Sequence, residues 1–180
     1  MKITISGKIG SGKSTIGKIL AKKLSLKHYS TGEFMRQIAK DRGISLLELS
    51  KIAEKSDEID KLLDQRQISI GQTQDDFLID ARLGFYFIPD SIKVFLDVTT
   101  KEASKRIYSE KRADENNQSF EDTLKNIKKR QESERKRYEN YYGIDFTKKS
   151  NYDIWIDTTN KTIEQVVELV FTEIDQIKKI

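Results

Sequence analysis

Gly7-Lys8-Ile9-Gly10-Ser11-Gly12-Lys13-Ser14-Thr15 stands between a short apolar run, Ile3-Thr4-Ile5-Ser6, and a helical pattern with Ile16, Ile19, Leu20 and Leu24 on one face. Strand, glycine loop and helix in that order turn the spacing G-x-x-x-x-G-K-S into a phosphate site. Glycines let the backbone turn tightly, so successive N–H groups point inward at an anion. The helix that opens near Lys13 adds unpaired N–H groups and a positive dipole end. On this spacing Lys13 is expected to reach the β- and γ-phosphates of a nucleotide and Ser14 to ligate Mg²⁺.

Bulk properties narrow the setting. The 180 residues suffice for one domain with a substantial core. With no cysteine, disulfides and thiolate metal sites are excluded. No apolar run approaches the roughly 20 residues of a membrane span, and the first residues start a strand with no targeting composition. A soluble, cytoplasmic monomer with no membrane partner is the expectation. The net charge of +4, from 33 basic and 29 acidic residues, is too small and too interleaved to call for nucleic acid.

Outward from the loop, strands are expected at Leu26–Ser30, Phe77–Asp80, Ile92–Asp97 and Tyr152–Asp157. Helices are expected from Thr31 to Arg42, from Ser45 (a capping-box start), over Asp57–Gln67, from Thr100, over Phe120–Tyr141 and after the N-cap Thr162. Five apolar strands alternating with helices predict a three-layer α/β fold, a parallel sheet covered on both faces. Ligands in such folds sit beyond the carboxyl ends of the strands, where the loop, Ser30-Thr31, Asp80 and Asp157 fall. The whole chain, 1–180, is expected to be one domain, with residues 31–66 a helical excursion and 109–123 a short lid over the site.

Asp80 ends an apolar strand, within reach of the Mg²⁺ that Ser14 would hold. Arg36, Arg82, Arg106, Arg112, Arg130 and Arg137 follow strand ends or lie on helices after them. Arg130 and Arg137 stand two turns apart on one helix with Glu134 between them. Rigid guanidinium forks suit bidentate phosphate recognition. A phosphate acceptor is already an anion and needs no general base, which agrees with the lack of a catalytic His or Cys constellation. His28, the one histidine, is expected at a core edge.

Taken together these segments resemble the nucleoside monophosphate kinases, and most closely the short, archaeal-type cytidylate kinases. The resemblance rests on Ile3 to Thr15, Tyr29-Ser30-Thr31-Gly32-Glu33-Phe34-Met35-Arg36, and Asp57 to Asp60 with Asp64-Gln65-Arg66-Gln67. It rests also on Asp80-Ala81-Arg82-Leu83-Gly84 and on Arg130 to Tyr138 followed by Tyr142-Gly143-Ile144-Asp145. It implies the phosphate-loop (P-loop) NTPase type of fold and transfer of the γ-phosphoryl of ATP to CMP, and to dCMP, with Mg²⁺. By resemblance Gly7, Lys8, Ile9, Gly10, Ser11, Gly12, Lys13, Ser14, Thr15 and Arg106 would bind ATP. Ser30, Thr31, Arg36, Arg82, Arg130, Glu134 and Arg137 would bind the acceptor, while Lys13, Arg82, Arg112 and Arg130 would carry catalysis and Ser14 and Asp80 the metal. Ala81 departs from the family's glycine, and Lys8 is an added charge expected in solvent. A related kinase of another monophosphate such as AMP or of a small alcohol, and a non-catalytic nucleotide- or RNA-binding module, remain alternatives.

Overall fold

Five short runs rich in β-branched and aromatic residues form the sheet: β1 (Lys2–Gly7), β2 (Lys27–Ser30), β3 (Phe77–Asp80), β4 (Ile92–Asp97) and β5 (Ile154–Asp157). The computed structural model describes residues 1–44, 46–109 and 119–179, and in it the strands run parallel in the order β2-β3-β1-β4-β5. Eight helices lie among the described residues: α1 (Lys13–Lys23), α2 (Thr31–Asp41), α3 (Leu46–Lys55), α4 (Glu58–Thr73), α5 (Gly84–Phe87), α6 (Thr100–Ser109), α7 (Phe120–Tyr142) and α8 (Ile163–Ile177).

Side chains along each strand alternate between two apolar layers. On one face Ile3, Ile5, Leu78, Val94 and Leu96 pack against Ile16 and Leu20 of α1 and Val166, Val170 and Ile174 of α8. On the other, Phe77 and Ile79 meet Ile70 of α4 and Ile88, while Phe95 meets Leu83, Phe85 and Tyr138 of α7. Each fully buried aliphatic or aromatic side chain of this kind contributes about 1.5–3 kcal/mol. On the face where β1 carries hydroxyls, Ser6 Oγ donates toward the carbonyls of Ala81 and Arg82 at 2.9 and 3.0 Å, fixing the turn that follows β3. Ala81 itself is buried in the second layer, so its Cβ is absorbed by the core.

Helix starts follow the caps read from sequence. Thr162 and Gln165 form a reciprocal capping box at α8, and Glu102 N–H donates to Thr99 Oγ1 at 3.4 Å before α6. Two boundaries shift by two residues or more from expectation. α4 continues to Thr73 rather than ending near Gln67, because Gly71 brings the helix against Ile88, whose Cγ1 would stand only 3.0 Å from an added Cβ. β5 starts at Ile154 rather than Tyr152, because the Tyr152 ring turns in against Phe85 and Phe95 and its hydroxyl donates to the Phe146 carbonyl. The short α5 had no pattern of its own. Ser45 and residues 110–118 of the expected lid lie outside the described residues. No helix among the described residues is long and apolar enough to cross a membrane.

Candidate active site

The loop between β1 and α1 is held by its neighbours at the carboxyl edge of the sheet. Gly10 has φ +76°, and a Cβ there would lie 2.7 Å from Ala103 Cβ, so only glycine fits under α6. Ile9 is buried with Val98, Ala103, Ile107 and Ile127, which anchors the loop from below. Lys8 Nζ lies 2.7 Å from Asp97 Oδ1, so it pairs with the end of β4 rather than standing in solvent. Gly12, also with positive φ, caps α1; Lys13, Ser14 and Thr15 form its first turn. Buried Ser11 has an Oγ without a hydrogen-bond partner.

β3 delivers Asp80 to the same edge. Ser14 Oγ donates to Asp80 Oδ2 at 2.6 Å, Ser30 Oγ lies 3.4 Å from the same oxygen, and Thr31 Oγ1 donates to the Asp80 carbonyl at 3.2 Å. Among the described residues no cluster of three or more His, Cys, Asp or Glu side chains could cage a metal. One hydroxyl and one carboxylate suit Mg²⁺, which keeps waters and phosphate oxygens and takes only one or two protein oxygens. His28, half-buried on β2, has its imidazole pushed below its ordinary pKa by burial, against the pull of Asp80 and Glu33.

Glu134 is where the cations converge. Arg82 Nε donates to its carboxylate at 2.8 Å, and Arg82 Nη2 stands 3.5 Å from the other oxygen. Burial pushes the Glu134 carboxyl up, but the charge and hydrogen bond of Arg82, with the charges of Lys13 and Arg130, hold it below the usual carboxylate range. Three elements, the loop, the turn after β3 and α7, therefore bring positive charge to one place. Beside it a cavity of about 200 Å³ opens between the loop and α7, lined by Lys8, Ile9, Gln131, Glu134, Phe146 and Thr147 among others.

The remaining arginines divide. Arg106 Nη2 donates to the carbonyls of Thr158 and Thr159 at 2.6 and 3.2 Å, and Nη1 reaches Thr158 Oγ1 at 3.1 Å and the Gly10 carbonyl at 3.4 Å. Its donors thus join the loop after β5 to the phosphate loop. Arg36 is exposed on α2. Arg137 Nε stands 3.7 Å from Asp60 Oδ2 of α4, and its Nη2 donates to the Tyr138 hydroxyl at 3.3 Å. Arg112 lies outside the described residues.

Sequence reasoning gave no individual role to Asp60, Asp64 or Gln67, which share one face of α4; Asp60 and Asp64 meet Arg137 and Tyr142 of α7. Asp60 and Gln67 are buried, and Asp64 accepts from the Tyr142 hydroxyl. Burial raises the Asp64 carboxyl to about 6, against the pull of that hydrogen bond. The readable signal was their i, i+4, i+7 spacing on one helix face.

Comparison with known proteins places the chain by family and by fold. The profile of the cytidylate kinase-like family matches residues 2–160. A protein of Sulfurisphaera tokodaii named cytidylate kinase is 38% identical over 172 residues, covering 94% of this chain and 93% of that one. Another of Methanosarcina acetivorans, with the same name, is 37% identical over 180 residues, covering 98% of both. Among solved structures, shikimate kinase from Bacteroides thetaiotaomicron superposes with a TM-score of 0.69 over 97% of this chain and 98% of that one. At 15% identity that likeness shows the fold alone, a P-loop kinase fold.

Proposed function

The chain belongs to the cytidylate kinase-like family, the premise from which we propose that it transfers the γ-phosphoryl of ATP to CMP, and also to dCMP. An oxygen of the acceptor phosphate bonds to the γ-phosphorus as the bond from that phosphorus to the β,γ-bridging oxygen breaks. ADP leaves, and CDP or dCDP is formed.

The observation that carries the reading is the convergence of Lys13, Arg82 and Arg130 on Glu134 beside the phosphate loop. Two phosphates approaching within about 4 Å repel by about 4 kcal/mol per charge pair near a protein surface. Cations from three separate elements offset that repulsion and stabilise the charge on the transferring group, where catalysis is mainly positioning and electrostatics. The α1 amino end and the loop amides hold the ATP phosphates, with Lys13 reaching toward the transferred group. Ser14 and Asp80 would hold Mg²⁺, which would neutralise charge on the ATP phosphates. Arg106, its donors committed to carbonyls, offers the adenine a flat cationic face. Ser30, Thr31, Arg36, Arg82, Arg130, Glu134 and Arg137 line the acceptor side. The reading carries with it a cytoplasmic monomer, and Arg112 supplies a further cation from the lid.

The test is ADP release from purified protein with Mg²⁺ and ATP, across CMP, dCMP, UMP, AMP and GMP. CMP and dCMP should give the highest kcat/KM. Turnover of AMP or GMP at least tenfold above CMP would replace the acceptor, and no turnover of any monophosphate would remove the kinase reading.

A further inference from the structure

The proposed chemistry uses the backbone of Lys8 and leaves its side chain without work. Lys8 Nζ lies 2.7 Å from Asp97 Oδ1, and the two side chains are 33% and 24% exposed. Asp97 ends β4 and cannot turn away. Its Oδ1 accepts from the Val98 N–H at 2.7 Å, and its carbonyl accepts from the N–H and the Oγ1 of Thr158, each at 2.9 Å. In the sheet register its neighbour is Asp157, at the end of β5. Hydrogen bonds from Thr159 hold the Asp157 carboxyl below the usual carboxylate range, with a weaker pull from the charges of Lys161 and Lys8. Two carboxylates therefore stand side by side at the carboxyl edge of the sheet, where a triphosphate has to arrive. Like charges so placed repel an incoming phosphate.

Three jobs are open to a lysine in this position: to tether the loop, to touch the phosphates, or to cancel the neighbouring charge. A tether is redundant. The Lys8 N–H already donates to the Leu96 carbonyl at 3.1 Å, Ile9 is buried beneath the loop, and Arg106 holds the Gly10 carbonyl. An ion pair this open to water adds little to that hold. Phosphate contact conflicts with the side chain's direction, which runs to the end of β4 and closes on Asp97. Cancelling the charge agrees with both the distance and the company.

We propose that Lys8 is a positioning residue for ATP: it neutralises Asp97 at the rim of the phosphate loop, so that the loop amides meet the triphosphate without a competing anion. This rests on the kinase reading above, in which the loop binds ATP, and adds to it the pair that sets how tightly. The strand order places β4 and β5 across β1 from β3 and β2, whose ends carry Asp80, Ser30 and Thr31. The effect therefore falls on ATP rather than on the acceptor.

The experiment compares wild type with Lys8→Met, Asp97→Asn and the double variant. ATP affinity is read twice, as Kd by calorimetry with Mg²⁺ and no acceptor, and as KM in the ADP-release assay with CMP. Asparagine keeps an oxygen for the Val98 N–H and loses only the charge. Lys8→Met should weaken ATP about tenfold in both readouts, while kcat and the KM for CMP stay within about threefold of wild type. Asp97→Asn should tighten ATP about twofold, and the double variant should return to within about threefold of wild type, because the charge that Lys8 cancels is gone. A double variant as weak as Lys8→Met would put Lys8 on the phosphates themselves and overturn the proposal. Asp97→Asn as harmful as Lys8→Met would make the pair a tether and overturn it too, as would a Lys8→Met protein within about twofold of wild type. If Lys8→Met does not fold, Lys8→Gln takes its place in the same cycle. A wild type that binds ATP and phosphorylates no monophosphate removes the kinase reading, and the calorimetric Kd values then decide this proposal by the same comparison. A wild type that does not bind ATP removes both.

Discussion

The phosphate-loop side and the α4–α7 side of the site are finished to different degrees. On the loop side Arg106 is bonded to carbonyls, Lys8 is paired with Asp97, and Ser14 donates to Asp80; Ser11 Oγ and, across the cavity, Gln131 Nε2 are exceptions. On the α4–α7 side Asp60, Gln67 and Arg137 keep buried atoms without partners. A triphosphate is the same in every nucleotide, so its cradle can be complete before it arrives. On the α4–α7 side each buried atom left without a partner costs about 1–3 kcal/mol.

Three perturbations sharpen the contrast, beginning with the strongest. Lys13→Ala should lower kcat on the order of a thousandfold while the protein keeps its fold, read by ADP release and circular dichroism. Residual activity within about tenfold of wild type would move the decisive charge away from the loop. Arg82→Ala should destabilise by about 3 kcal/mol in chemical denaturation, because it strands the Glu134 carboxylate in a buried setting. Replacing both partners, as Arg82→Met with Glu134→Leu, should recover most of that stability and none of the activity.

The smallest effect comes from Asp64, which faces Tyr142, Asp60 and Arg137. Its carboxyl is raised from 3.8 to about 6. The native state therefore binds this proton more tightly than the unfolded chain does. The contribution is fully present below about pH 4 and is lost as pH rises through 6. Ligand-free wild type should gain on the order of 1–2 kcal/mol relative to Asp64→Asn between pH 7 and pH 4.5. A pH-independent difference between the two proteins would show that Tyr142 leaves Asp64 with its ordinary acidity.

The strands were legible because parallel strands covered on both faces are written as apolar runs. Phe77-Leu78-Ile79 and Val94-Phe95-Leu96 leave no other reading, and the loop announces itself by glycine spacing. Lys8 was read as solvated because its partner, Asp97, is nearly ninety residues away and adjoins only through the pairing of β1 with β4. Asp60 and Gln67 were passed over for a deeper reason. A polar stripe facing water and one buried against another helix have the same spacing, and only the position of α7 opposite tells them apart. Gly71 was unreadable for the same kind of reason, since Ile88 gives it its purpose.

The strand order has a temporal consequence. β1 lies at the centre of the sheet, and both its neighbours, β3 and β4, are encoded more than seventy residues later. Arg106 then ties Gly10 to the segment just beyond β5. During synthesis the nucleotide cradle thus leaves the ribosome before the elements that hold it, and is among the last to take shape. A growing chain holds no ordered grip on ATP until its final strand has docked.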